Sequence, residues 1–93
     1  MKVYIIGEVT GLHYQECCAQ FEEVQVQLED MGHKVVNPTR VVPEGTDWIE
    51  AMKICLRELI DCEAFYRLPN ALSSKGALCE LFVANELKLI EIF

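Results

Sequence analysis

Short apolar segments alternate with longer amphipathic segments along the whole chain, and this alternation restricts the fold more than any other feature of the sequence. Runs rich in β-branched and aromatic residues predict four strands, at 3–6, 33–36, 64–68 and 89–93. The three longer segments between them have helical spacing. The order βαβαβαβ predicts an α/β domain whose parallel sheet is covered by helices on both faces.

Residues typical of helix ends support these boundaries. The first predicted helix, 14–31, has an apolar stripe formed by Phe21, Val24, Leu28 and Met31. Asp47 can cap the second helix, and either Ser73 or Ser74 can cap the third, which runs to about residue 87. The segment 37–45 contains two prolines, and we predict a loop there.

Length, composition and charge narrow the functional classes. The 93 residues suit one domain, and a hydrophobic content of 52% excludes intrinsic disorder. A net charge of −7 disfavours nucleic-acid polymers as partners. Because no apolar run approaches the roughly 20 residues of a membrane span or forms a signal-peptide core, we expect a cytoplasmic protein without a membrane partner.

The cysteine and histidine positions argue against metal binding. The chain has five cysteines, none of them in a Cys-x-x-Cys pair, and its two histidines do not pair with cysteines at zinc-site spacing. An odd number of cysteines without a secretion signal also disfavours a disulfide framework. We therefore expect free thiols, with no metal site and no cofactor.

Two segments fall where parallel sheets bind ligands, beyond the carboxyl ends of the strands. The loop between Gly7 and Gly11 follows the first strand, and Ser74 and Gly76 open the third helix. Glycine admits close backbone approach, and free N–H groups at a helix start attract anions or hydroxyls. The loop equally suits an ordinary strand-to-helix turn, and serine at a helix start more often serves only as a cap. Glu8 within the loop opposes a phosphate.

Glu80 is the most distinctive carboxylate in the sequence. Its helical neighbours, three and four positions away, are Gly76, Ala77, Val83 and Ala84. A carboxylate among small apolar residues would be partly desolvated, with a raised pKa and a place in a functional site. The alternative is a surface glutamate on a helix that is apolar on all sides. The spacing favours neither hypothesis.

Two motifs together resemble a known family. They are formed by residues 4–11, YIIGEVTG, and by residues 74–80, SKGALCE. The pair resembles the nucleoside 2-deoxyribosyltransferase superfamily, and residues 32–38 and 61–64 resemble its small bacterial and phage members. The resemblance covers nearly the whole chain. It implies one domain over residues 1–93, a flavodoxin-like three-layer α/β fold whose four-stranded, mainly parallel sheet is flanked by three helices.

The resemblance also implies an activity, because active members cleave or exchange the N-glycosidic bond of 2′-deoxynucleosides or their monophosphates. Glu80 matches the nucleophile that attacks the anomeric carbon, and Tyr4 matches the tyrosine that places this carboxylate. The substrate-binding residues implied in this way are Gly7, Glu8, Gly11, Ser74 and Gly76. A carboxylate that traps an oxocarbenium-like transition state is the chemistry of retaining glycosidases.

Two positions, Glu8 and Cys55, depart from the family pattern, and the second leaves two functions open. Active members carry an acidic aspartate in the second helix, and the matching residue here is Cys55. A thiol is a poor proton donor to a leaving base. The first hypothesis is therefore an N-glycosidase or transferase that uses Glu80. The second is a non-catalytic module that binds a nucleotide derivative or serves in assembly.

The apolar content of the third predicted helix also indicates self-association. Its sequence includes Phe82, Val83 and Leu87 in addition to residues needed for the core. One small domain cannot hide so much apolar surface, so we expect a homo-oligomer, a dimer or larger.

Overall fold

The computed structural model describes residues 1–9 and 13–93, in which strands and helices alternate as the sequence predicts. The strands are β1 (Lys2–Ile6), β2 (Lys34–Val36), β3 (Ala64–Arg67) and β4 (Ile90–Ile92). The helices are α1 (Tyr14–Asp30), α2 (Pro38–Val41), α3 (Trp48–Ile60) and α4 (Lys75–Glu86). A short 3₁₀ turn, Ala71–Ser73, precedes α4.

The four strands form one sheet in the order β2-β1-β3-β4, and each neighbouring pair is parallel. This confirms the predicted α/β class and a flavodoxin-like arrangement. The chain moves from β1 outward to β2 and then crosses to β3 on the other side of β1. The sheet therefore has its topological switch point between the carboxyl ends of β1 and β3, where such folds bind ligands.

Side chains of β1 alternate between two apolar clusters, one on each face of the sheet. Val3 and Ile5 pack in the cluster that includes Phe21 of α1. Tyr4 and Ile6 pack in the other cluster, which also contains residues of α3 and α4. This period of two fixes three layers, with α1 on one face and α3 and α4 on the other. It also places Tyr4 beneath α4.

The helix ends follow the predicted chemistry. After α1, Gly32 has φ +92°, and the N–H of His33 donates to the carbonyl of Leu28 at 3.1 Å, which completes a Schellman cap. The Asp47 carboxylate accepts the N–H of Ile49 at the start of α3. The caps predicted for the last two helices are therefore confirmed, with Ser74 rather than Ser73 as the cap of α4.

Two local predictions were wrong. The segment 37–45 contains the one-turn helix α2, because Asn37 caps it and Pro38 occupies its first position, where a missing N–H costs nothing. Met31 was predicted to belong to the apolar stripe of α1. The helix instead ends at Asp30, and Met31, which follows it, is 61% exposed. Among the described residues, no helix has the length and apolar character required to cross a membrane.

Candidate functional site

A cavity of about 350 Å³ opens beyond the carboxyl ends of β1 and β2, at the start of α3 and α4. Its wall includes Gly7 from the loop after β1 and Ser74 at the start of α4. The chain from Pro38 to Thr46 and the inner face of α3 supply the opposite side. The two motifs singled out in the sequence therefore meet at one site.

Glu80 reaches this cavity from α4 and is only 5% exposed. Its carboxylate accepts a hydrogen bond from the hydroxyl of Tyr4, which is fully buried in the sheet beneath it. The spacing left open whether Glu80 is a surface or a site residue, and the structure places it in the site. Tyr4 supports the carboxylate from behind and is not among the described residues on the cavity wall.

Burial and the tyrosine act on the Glu80 carboxylate in opposite directions. Desolvation raises the pKa of Glu80 to about 7, although the hydrogen bond from Tyr4 lowers it by stabilising the ionised form. Burial, together with the charge of Glu80, raises the pKa of Tyr4 well above its usual value, so the phenol keeps its proton. Near neutral pH, Glu80 can thus exist as a desolvated carboxylate held by a neutral donor.

Cys55, on α3, lines the same cavity and interacts with both Tyr4 and Glu80. Burial raises the pKa of the Cys55 thiol to about 11. The thiol therefore stays protonated at neutral pH, and it gives up its proton far less readily than a carboxylic acid would. The position matched to the family's aspartate therefore lies on the same cavity wall as the Glu80 carboxylate.

Removing the Tyr4 hydroxyl should change the titration of Glu80. In Tyr4→Phe the carboxylate loses its donor but remains buried, so we expect its pKa to rise above the wild-type value of about 7. An NMR titration of carboxyl-labelled glutamate measures this directly. Tyr66→Phe, at a half-buried tyrosine packed on the opposite face, is the matched control. An unchanged Glu80 pKa in Tyr4→Phe would contradict the hydrogen bond.

Two of the predicted glycines, Gly7 and Gly76, line the cavity and also allow close packing. A Cβ on Gly7 would lie 2.4 Å from the Leu68 Cδ1 atom and 3.0 Å from the Phe21 Cζ atom, so a side chain there would force Leu68 to shift. At Gly76 a Cβ would meet the Met52 sulfur at 3.1 Å. Both glycines line the cavity, and both also allow close contact between neighbouring elements.

The other predicted residues divide between the site and its surroundings. Ser74 lines the cavity, and its Oγ accepts the N–H of Ala77 at 3.3 Å as the cap of α4. The Glu8 backbone N–H donates to Asn70 Oδ1 at 3.1 Å, and Glu8 is not among the described lining residues. The Glu8 side chain therefore has no observed role at the site. Gly11 lies outside the described residues.

The sequence did not identify several residues on the cavity wall. Among the polar and aromatic side chains these are Tyr14, Thr39, Glu44, Thr46 and Trp48. Their signal was position: Glu44 follows the second strand, whose carboxyl end was expected to face the ligand side. In the described part of the chain, no group of three or more histidine, cysteine, aspartate or glutamate side chains is arranged to hold a metal ion.

Comparison of the sequence with known proteins identifies the family of this chain but does not identify an activity. The model of a family described as a domain of unknown function, DUF4406, matches residues 1–93. No curated protein sequence matches the chain significantly.

Proposed function

The chain belongs to the DUF4406 family, and we propose that this member is a nucleoside-binding domain of the deoxyribosyltransferase type. In this role it cleaves or transfers the N-glycosidic bond of 2′-deoxynucleosides through Glu80. The observation that carries the proposal is the buried Glu80 carboxylate, held by the Tyr4 hydroxyl and facing a cavity at the ligand end of the sheet. The two-motif resemblance supports the same function.

The proposed reaction has two steps. A Glu80 carboxylate oxygen attacks the anomeric carbon while the bond to the base nitrogen breaks, and the base leaves with the bonding electrons and takes up a proton. The resulting deoxyribosyl ester is then opened by water, giving the free sugar, or by a second base, giving a new nucleoside. The cavity of about 350 Å³ is within the usual size range for small-molecule sites.

The charges on the cavity wall favour an uncharged nucleoside over its monophosphate. Two carboxylates, Glu80 and Glu44, line the cavity. Among the described lining residues none is lysine, arginine or histidine. A phosphate dianion would meet repulsion from Glu44 and from the ionised form of Glu80, and no cation among the described lining residues would offset it.

A thermal-shift titration with the four 2′-deoxynucleosides and their 5′-monophosphates tests this function. We expect at least one deoxynucleoside to stabilise the protein, by about 2.7 kcal/mol at 100 times its dissociation constant. The matched monophosphate should stabilise it less, and the difference should shrink at high ionic strength because salt screens the repulsion. Free 2-deoxyribose serves as the control. Absence of stabilisation by every nucleoside and nucleotide would refute the proposed function.

One observation favours the second function, a non-catalytic module that binds a nucleotide derivative or serves in assembly. Cys55 lines the same cavity as Glu80 with a protonated thiol whose pKa is about 11, and it offers little help to a leaving base. Ligand binding without base release would identify this module.

We also propose that the protein acts as a homo-oligomer. Phe82 is 66% exposed on α4, where Leu78 is also exposed, and Leu87 follows it. Val83, by contrast, packs partly against the core. Sedimentation at micromolar concentration should therefore show a dimer or larger species, and Phe82→Glu should weaken it. A 10.6 kDa monomer at all concentrations would contradict this assembly.

A cytoplasmic location is part of the same proposal. All five cysteines are free thiols in the structure, and three of them are half-buried or exposed. Such thiols persist in a reducing compartment.

A further inference from the structure

Trp48 is the large aromatic side chain that α3 presents to the cavity. It is the single tryptophan of the chain and the first residue of α3. It lines the cavity, yet 42% of its surface is exposed. An indole left this open contributes less to the core than a buried one, and its free surface is available to a ligand.

Lys75 occupies one side of this indole. Its ammonium nitrogen lies 4.6 Å from the centroid of the Trp48 ring, a cation–π contact. Lys75 is not among the described lining residues, whereas Trp48 is. The ammonium covers one face of the ring, and the 42% exposure of Trp48 leaves indole surface open at the cavity wall. The contact also restrains the ring, because leaving its place would break the cation–π interaction.

The spacing along α3 relates Trp48 to the reacting group. Trp48, Met52 and Cys55 line the cavity and lie on one face, at positions i, i+4 and i+7. Seven residues of helix correspond to about 10 Å along the axis. Cys55 packs against the cluster that contains Tyr4, whose hydroxyl donates to Glu80, so the carboxylate lies at one end of this face and the indole at the other.

We propose that Trp48 is the surface on which the nucleobase stacks while the sugar reaches Glu80. This inference rests on the proposed function, since it assigns the base end of the same site. Stacking on an aromatic ring suits every nucleobase, because each has a π-face, and it needs no charge on the ligand. The apolar neighbours of Trp48 on the wall, Ala51 and Met52, also suit a flat uncharged ring.

Calorimetric binding of the tightest 2′-deoxynucleoside to three variants tests the role of Trp48. Trp48→Leu should weaken binding by roughly 5- to 150-fold, the range for loss of one stacked base. Trp48→Phe keeps a ring and should retain most of the affinity. Ile49→Leu is the matched control, because Ile49 is the next residue of α3, is 61% exposed and is not among the described lining residues.

Fluorescence of the wild-type protein gives an independent readout that does not depend on how a variant folds. With one tryptophan in the chain, emission reports on Trp48 alone. We expect the nucleoside to change this emission, and 2-deoxyribose to leave it unchanged. If the nucleoside binds while emission is constant and Trp48→Leu binds equally well, the stacking role is overturned and the proposed function stands. If no nucleoside binds the wild type, both are overturned.

Discussion

Replacing Glu80 by alanine is expected to abolish base release from 2′-deoxynucleosides, because the covalent route then has no nucleophile. Glu80→Gln should be nearly as inactive, since an amide of the same size cannot form the deoxyribosyl ester. Wild-type activity should rise with pH through about 7, because the nucleophile reacts in its ionised form and burial raises the pKa of Glu80 to that range.

Chromatography of the free base after long incubation measures this activity. Glu86→Gln is the matched control, because Glu86 is an exposed carboxylate on the same helix, and we expect no change there. Base release from Glu80→Ala at the wild-type rate would show that another group is the nucleophile, whatever the fold.

Replacing Cys55 by aspartate is expected to raise activity by about 10²–10⁴-fold, the usual contribution of a positioned general acid. Cys55 lies on the cavity wall beside Glu80, so an aspartate there could deliver a proton to the leaving base. Two neighbouring carboxyl groups in a desolvated site also disfavour joint ionisation, which helps one of them to keep its proton near neutral pH.

Cys79→Asp is the matched control for this gain. Cys79 is an exposed thiol of α4 outside the described cavity wall, so the same chemical change there should leave activity unaltered. If wild type and Cys55→Asp are both inert while nucleosides still bind, the enzymatic function is refuted and the non-catalytic module remains.

The element order could be predicted because its signals are local. Four short apolar runs rich in β-branched or aromatic residues and three longer helical segments are visible without tertiary information, and the strands lie close to their expected positions. The caps at Gly32, Asp47 and Ser74 were also predictable, since each depends on one side chain and the adjacent backbone.

The burial of Glu80 could not be decided from its spacing. α4 carries apolar residues on several sides, so its sequence does not show which face meets the sheet. That choice is made by the packing of α4 over Tyr4, a contact between residues 76 positions apart. The resemblance to a family motif pointed to Glu80 where the helical pattern alone did not.

The cavity wall formed by α2 and α3 was the least predictable part of the site. Proline at 38 indicated a loop, although proline is also favoured at the first position of a helix, and Asn37 supplies the cap. Trp48 is the first residue of α3, and it is 42% exposed at the cavity. Such outcomes depend on what lies across the cavity, which no local pattern encodes.

Intact-mass spectrometry of protein quenched in acid during turnover tests the role of Glu80 most directly. Incubation with the 2′-deoxynucleoside that binds most tightly should add the mass of one deoxyribosyl group to the wild-type chain. Fragmentation should place the addition on Glu80, and Glu80→Gln should remain unmodified. Release of free base from a chain that never carries the sugar, or an addition at another residue, would contradict the covalent role of Glu80.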